Sequence, residues 1–138
     1  MDCLFCKITA GEVPSAKVYE DEHAFAFLDI EPNNPGHTLL VPKTHARNIL
    51  DIGEETLCGI MPALKKLSRA VKDAVSADGL NISMNNESAA GQIVPHAHIH
   101  IIPRFSDDGH RHFEKRPYKN DEEMNAVAEK IKTALRYS

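Results

Sequence analysis

The chain has 138 residues, 42% hydrophobic and 26% charged, which fits one globular domain over 1–138 with room for a real core. Its 16 lysines and arginines against 20 aspartates and glutamates leave a net charge of −4, so no general basic field points to nucleic acid as a partner. No apolar run approaches the ~18 residues that a membrane span needs, and the first residues, Met1-Asp2-Cys3-Leu4-Phe5-Cys6, show no secretory signal, so the expected location is the cytoplasm.

Three cysteines, an odd number, argue against a disulfide framework. In a reducing compartment Cys3-Leu4-Phe5-Cys6 reads as part of a metal site or as a redox pair. Thiolates two residues apart can both reach one tetrahedral ion. The redox alternative needs a thioredoxin-like strand before the motif, and none is visible. Metal is therefore the preferred reading, with the remaining ligands supplied from elsewhere in the chain.

Val13-Pro14-Ser15 is a break. Lys17-Val18-Tyr19-Glu20 and Ala24-Phe25-Ala26-Phe27-Leu28 read as an antiparallel hairpin joined by Asp21-Glu22-His23. Asp29 follows at the strand end, as a solvated turn cap or as an acceptor for a ligand hydroxyl. Prolines and a glycine between Glu31 and Gly36 force a turn. His37-Thr38-Leu39-Leu40-Val41-Pro42 is mostly apolar and reads as a central strand, with His45 in the loop beyond.

Leu57, Ile60, Met61, Leu64, Leu67, Val71 and Val75 recur at helical spacing, predicting one long helix from about Glu54 to Val75. Pro62 conflicts with it, and an irregular start or a bend is expected there. Cys58 on this helix reads as a small buried residue without a role. Leu80 to Asn85 is a fourth strand, and Asn86 to Gln92 is a loop of small residues. Ser106 to Asn120 is a polar surface loop. Asp121-Glu122-Glu123 opens a last helix with Met124, Val127, Ile131 and Leu135 on its apolar face.

The stretch His96-Ala97-His98-Ile99-His100-Ile101-Ile102 carries the most information. Its period of two reads as a strand, with the three histidines in a row on one face and Ala97, Ile99 and Ile101 packed behind. A solvated face or a pH-sensitive patch would be the bland account. The chemical account starts from neutral imidazole, a good nucleophile toward phosphorus and a good leaving group once protonated. His98 is then the candidate nucleophile and His100 the phosphate donor. The loop before the stretch would present backbone N–H groups to a phosphate. Cys3, Cys6, His45 and His96 compose a Cys₂His₂ set, the make-up of a closed structural zinc site. A competing arrangement puts a catalytic ion on His96, His98 and His100, and it leaves both N-terminal cysteines unused.

These features together resemble the histidine triad (HIT) superfamily. The stretch 96–102 fits the signature His-φ-His-φ-His-φ-φ, with φ apolar, and Phe27 through Lys43 resembles the family's first strands. Asn85 through Gln92 resembles its phosphate loop, and the Cys₂His₂ set resembles that of many microbial members. The likeness covers about residues 3 to 105.

The resemblance implies an α+β fold: a five-stranded, mainly antiparallel sheet with one long helix and a C-terminal helix, in a homodimer. It implies hydrolysis of purine nucleoside phosphoramidates or dinucleoside polyphosphates through a covalent nucleotidyl-histidine on His98, with His100 on the α-phosphate and His37 orienting the histidines. Asn85, Gly91 and Gln92 would contact phosphate, Asp29 the ribose, and Phe5, Ile8, Phe27 and Ile30 the base. Ile93 stands where many members carry a hydroxyl residue, which leaves its backbone N–H as the contact. A non-catalytic nucleotide-binding module and a nucleotidyltransferase are the alternatives.

Overall fold

Alternation of small and large residues decides which side of the sheet each element covers. A computed structural model describes residues 2–137. The chain divides into two compact units, Met1–Asp108 and Gly109–Ser138. In the first, α1 (Leu4–Thr9) precedes β1 (Lys17–Glu20), β2 (Ala24–Leu28) and β3 (Thr38–Pro42). The long helix α2 (Glu54–Ala74), β4 (Gly79–Ser83), a short 3₁₀ turn (Ser88–Ala90) and β5 (Ile99–Arg104) follow. The five strands form one sheet in the order β1-β2-β3-β5-β4, with every neighbouring pair antiparallel. The architecture is α+β, as expected.

In β2 the alanines face one way and the phenylalanines the other. Ala24 and Ala26 join Leu40, Ile99 and Ile101 under α2, which contributes Ile60, Ala63, Leu67 and Val71. Small side chains on β2 let the helix approach closely. Phe25 and Phe27 join Leu39, Val41 and, from the N-terminal segment, Cys3, Phe5 and Ile8. Each large apolar side chain buried this way contributes about 1.5–3 kcal/mol. The sheet therefore has a helix-covered face and a second face closed by the N-terminal segment.

Three expectations need correction. Met61 is 47% exposed and Cys58 is exposed, while Ala63 belongs to the buried stripe. The stripe runs Ile60, Ala63, Leu67, Val71, a rotation of the helix that turns Met61 and Cys58 outward. The helix also continues through Pro62. The lost N–H would have bonded the Cys58 carbonyl, one turn back on the solvent side. Finally, residues 4–9 are helical although no helix is expected there. Cys3 caps α1 without a side-chain hydrogen bond, so the usual capping signal is absent from the sequence.

In the second unit α3 spans Asp121–Leu135. The Asn120 side chain caps it by accepting from the Glu123 N–H at 2.8 Å, and three acids occupy its first turn. None of its residues is buried. No helix among the described residues is long and apolar enough to cross a membrane.

Candidate active site and metal centre

The histidine stretch is not one continuous strand. β5 begins at Ile99, and His96, Ala97 and His98 lie before it in bends and extended chain. The apolar alternation is real, but its first half is tied down by other means. His96 N–H donates to the Val94 carbonyl at 2.9 Å, and Ala97 N–H donates to the Ala46 carbonyl at 2.7 Å. All three imidazoles nevertheless lie on the side closed by the N-terminal segment, where Phe5 packs against His96 and His98 and Leu39 pairs with His100. His98 and His100 remain neighbours, with ring centroids 5.0 Å apart. The His96 ring turns away, toward the cysteines.

His100 sits in the middle of the sheet, opposite Leu39 of β3 and Ser83 of β4. The proton positions of its surroundings follow from their partners. Asn33 N–H donates to His37 Nδ1 at 3.1 Å, so His37 carries its hydrogen on Nε2. His37 Nε2 lies 2.9 Å from His100 Nδ1 and donates to it. His100 is thereby left with Nε2–H, a buried donor with no partner among the described residues. Burial, with the neighbouring His98 and His37, pushes the His100 pKa down to about 4, so the ring is neutral at pH 7. Burial also lowers His37, and the nearby Asp29 carboxylate partly offsets it.

His98 has the complementary arrangement. Its Nδ1–H donates to the His96 carbonyl at 2.7 Å, which leaves the lone pair on Nε2. Phe5 packs edge-on to the same ring, with centroids 5.1 Å apart. An imidazole with a free Nε2 lone pair, beside a neutral one offering Nε2–H, matches what attack on a phosphoryl group requires.

Cys3, Cys6, His45 and His96 come together from three separated segments, with their donor atoms within 4.8 Å of one another. His96 Nδ1 lies 3.4 Å from Cys3 Sγ, 3.5 Å from Cys6 Sγ and 3.1 Å from His45 Nδ1. The other His96 nitrogen donates to the Pro42 carbonyl at 2.9 Å, which fixes the tautomer and aims the Nδ1 lone pair into the cluster. The donor set, with His96 oriented by its bond to the Pro42 carbonyl, fits a tetrahedral ion such as zinc. Burial raises the Cys6 thiol, and a divalent cation binding there would displace its proton. His98 and His100 take no part in this cluster, so a single ion on His96, His98 and His100 is not what the fold assembles. Asp29, His37 and His100 form a second convergent group. There the two imidazole nitrogens face each other at 2.9 Å, a separation that suits a shared proton.

The HIT domain family matches residues 10–107. The chain belongs to the histidine triad (HIT) family. A HIT protein of Bacillus subtilis strain 168, "Protein hit", is 51% identical over 104 residues, covering 75% of this chain and 72% of the relative. Adenosine 5′-monophosphoramidase of Saccharomyces cerevisiae is 43% identical over 102 residues, covering 74% of this chain and 62% of the relative. A solved structure from Streptococcus mutans UA159 aligns with TM-score 0.92 at 45% identity, covering 97% of this chain and 85% of that one. A zinc-bound histidine triad protein from Mycobacterium smegmatis aligns with TM-score 0.75 at 36% identity, covering 97% and 98%.

The remaining candidates of this HIT chain divide into those the fold gathers and those it does not. Phe5, Ile8 and Phe27 share one apolar cluster beside His98. Ile30 stands outside it, 94% exposed, and Ile93 is 92% exposed. Asp29 Oδ1 accepts from the Glu31 N–H at 2.9 Å, and its Oδ2 lies 3.7 Å from His37 Nε2. Asn85 lies two residues past Ser83, the partner of His100, and its side-chain amide lies beside Gly91. Gly91 has φ +90, a conformation in which its lack of a side chain matters.

Gln92 differs most from expectation. Its Oε1 accepts from Asn48 Nδ2 and from the Glu87 N–H, both at 3.0 Å. Its Nε2 donates to the Arg47 carbonyl at 2.6 Å and to the Val94 carbonyl at 3.0 Å. The amide has used both acceptor positions and both donors. Asn48, fully buried, was not singled out by its sequence context. It stands 44 residues from its partner, too far apart for any local signal.

Proposed function

We propose that this HIT protein hydrolyses purine nucleoside phosphoramidates, and dinucleoside polyphosphates as a second substrate class, through a nucleotidyl group carried on His98 Nε2. The observation that carries the reading is the proton arrangement of the two imidazoles. His98 Nδ1–H is committed to the His96 carbonyl, and His100 is held neutral with its Nε2–H unpartnered. In the first step the His98 Nε2 lone pair attacks the α-phosphorus, and the bond to the amine nitrogen or bridging oxygen breaks with its electron pair, the leaving amine carrying a proton taken from solvent. His100 Nε2–H donates to a non-bridging oxygen as charge builds there. In the second step water attacks the same phosphorus, the P–N bond to His98 breaks, and nucleoside monophosphate leaves with the imidazole restored. The 43% identity to a yeast adenosine 5′-monophosphoramidase supports the phosphoramidate class.

In this reading Phe5, Ile8 and Phe27 wall the base and Asp29 accepts from the ribose, while Asn85 and the Ile93 backbone face the phosphate. Zinc is the ion proposed for Cys3, Cys6, His45 and His96, supported by the donor set and by the zinc-bound mycobacterial relative. Bound there, it supplies cross-linking stability in a site with no open position. A homodimer is proposed as well, because β4 is an edge strand with one side of its ladder unpaired.

Acid-quenched intact mass spectrometry after mixing with adenosine 5′-phosphoramidate tests the chemistry. One added adenylyl group, absent in His98→Ala, is the expected result. Hydrolysis undiminished in His98→Ala would sink the covalent route. Purine nucleotide binding without turnover or adduct would favour a binding module instead.

A further inference from the structure

The loop between β4 and β5 is held in a shape that its own sequence does not favour. Glu87 has φ 75 and ψ 157, backbone that a residue with a side chain rarely adopts. Such a conformation persists only where the surroundings over-determine it. Here they do so from the loop that follows β3 and from bonds within the 87–92 stretch itself. Arg47 grips the Glu87 carboxylate with both guanidinium nitrogens, each at 3.0 Å. The Glu87 N–H donates to Gln92 Oε1 at 3.0 Å, and the Glu87 carbonyl accepts from Ala90 and Gln92 N–H groups. Gln92 is held in turn by buried Asn48 and by the Arg47 carbonyl. One more bond, from Ile49 N–H to Asn86 Oδ1 at 2.9 Å, closes the seam.

What the seam holds in place can be read from strand register. Ser83 pairs with His100, and β4 runs antiparallel to β5. The ladder ends with that pair, and Asn85 follows Ser83 by two residues just as His98 precedes His100 by two. Asn85 is then flanked by Gly91, whose added Cβ would meet the Asn85 amide nitrogen at 3.5 Å. The loop that contains Asn85, Gly91 and Ile93 is thus held by Asn48 and Gln92 together with the Arg47–Glu87 pair and the Ile49–Asn86 bond.

We propose that Asn48 and Gln92 are positioning residues for the substrate phosphate. Their amide–amide bond fixes the 85–93 loop and, through it, the groups that meet the phosphoryl oxygens opposite His98. Gln92 acts by holding the loop, with no side-chain hydrogen-bonding capacity left for the phosphate itself. The inference rests on the nucleotidyl-histidine reading above.

Two isosteric variants test it. Asn48→Asp removes the donor to Gln92, and Gln92→Glu removes the donors to Arg47 and Val94 at a half-buried site where misfolding is a smaller concern. Each is compared with wild type in binding of adenosine and of adenosine monophosphate, in turnover of adenosine 5′-phosphoramidate, and in amide hydrogen exchange. Adenosine, which carries no phosphate, is expected to bind within about twofold of wild type. Monophosphate binding is expected to weaken and kcat to fall by about 10²-fold, the size of a misplacement of order 1 Å. Exchange is expected to quicken across 85–93 and to stay unchanged in α2 and β5. Equal loss of both ligands, or unchanged exchange across 85–93, would overturn the proposal alone. A wild-type protein that binds no monophosphate would overturn the functional reading, and the proposal with it.

Discussion

His37 Nε2 and His100 Nδ1 are 2.9 Å apart, and that bond decides which nitrogen of His100 carries hydrogen toward the site. Replacing His37 by Phe removes the donor and leaves the Asn33 N–H without its acceptor. His100 then loses the constraint on its tautomer. Turnover of adenosine 5′-phosphoramidate is expected to fall by about 10–10²-fold, typical for loss of a group that orients a working side chain. His37→Gln, which can still donate, should lose less. Steady-state kinetics on both variants checks this, and a His37→Phe enzyme as fast as wild type would contradict the relay.

The same two histidines set a pH dependence of stability. His37 and His100 both titrate lower in the folded chain than the ordinary 6.5, His100 at about 4. Between about 4 and 6.5 the unfolded chain therefore binds more protons than the folded one. Stability is expected to fall as pH drops through that window. Denaturant midpoints at steps from pH 7.5 to 4.5 should show it, and His100→Asn should flatten the slope relative to wild type. Equal slopes in the two proteins would rule out His100 as a source.

Metal removal should act on the N-terminal segment first. Protein purified without added metal is expected to carry about one zinc per chain, and chelation should lower its melting temperature. Hydrogen exchange should then quicken in α1, whose first residues follow directly on Cys3. Elemental analysis with calorimetry measures both. A metal-free protein that melts unchanged would remove the structural role.

Gly59 is a packing constraint rather than a hinge. An added Cβ would lie 2.7 Å from Cγ of the His23 ring, an atom too near the backbone to swing aside. Alanine normally favours a helix over glycine by about 1 kcal/mol. Overpacking costs about 1–3 kcal/mol and outweighs that gain. Gly59→Ala is expected to destabilise by on the order of 1 kcal/mol in urea unfolding, against the usual sign.

The sheet and the long helix were legible because their residues obey a local period. Ala24 to Leu28 alternates, and Ile60, Leu67 and Val71 keep a helical phase. Met61 and Cys58 were placed wrongly because a one-residue rotation of the stripe is invisible without knowing what the helix packs against. The metal set was recognisable by residue type, and the fold brings its four members together. The histidine stretch misled in its first half. His96 and His98 alternate like strand residues, yet their backbone is set by Val94 and Ala46 through bonds that leave no pattern. Helix α1 was missed because six residues with an uncapping cysteine carry too little signal. The role of Gln92 was out of reach for a related reason, since an amide that serves a distant amide looks the same in sequence as one that serves a ligand.

The start of β5 at Ile99 has a dynamic consequence. His100 is clamped between two strands, so its backbone opens only when the sheet itself comes apart. His98 lies just upstream of the ladder, in chain moored to Ala46 and Val94. Fraying of that short lead would loosen His98, the proposed nucleophile, while His100 stays put. The two imidazoles proposed for catalysis thus sit on parts of the chain with different lifetimes. The bond from Ala97 N–H to the Ala46 carbonyl governs how long His98 keeps its aim.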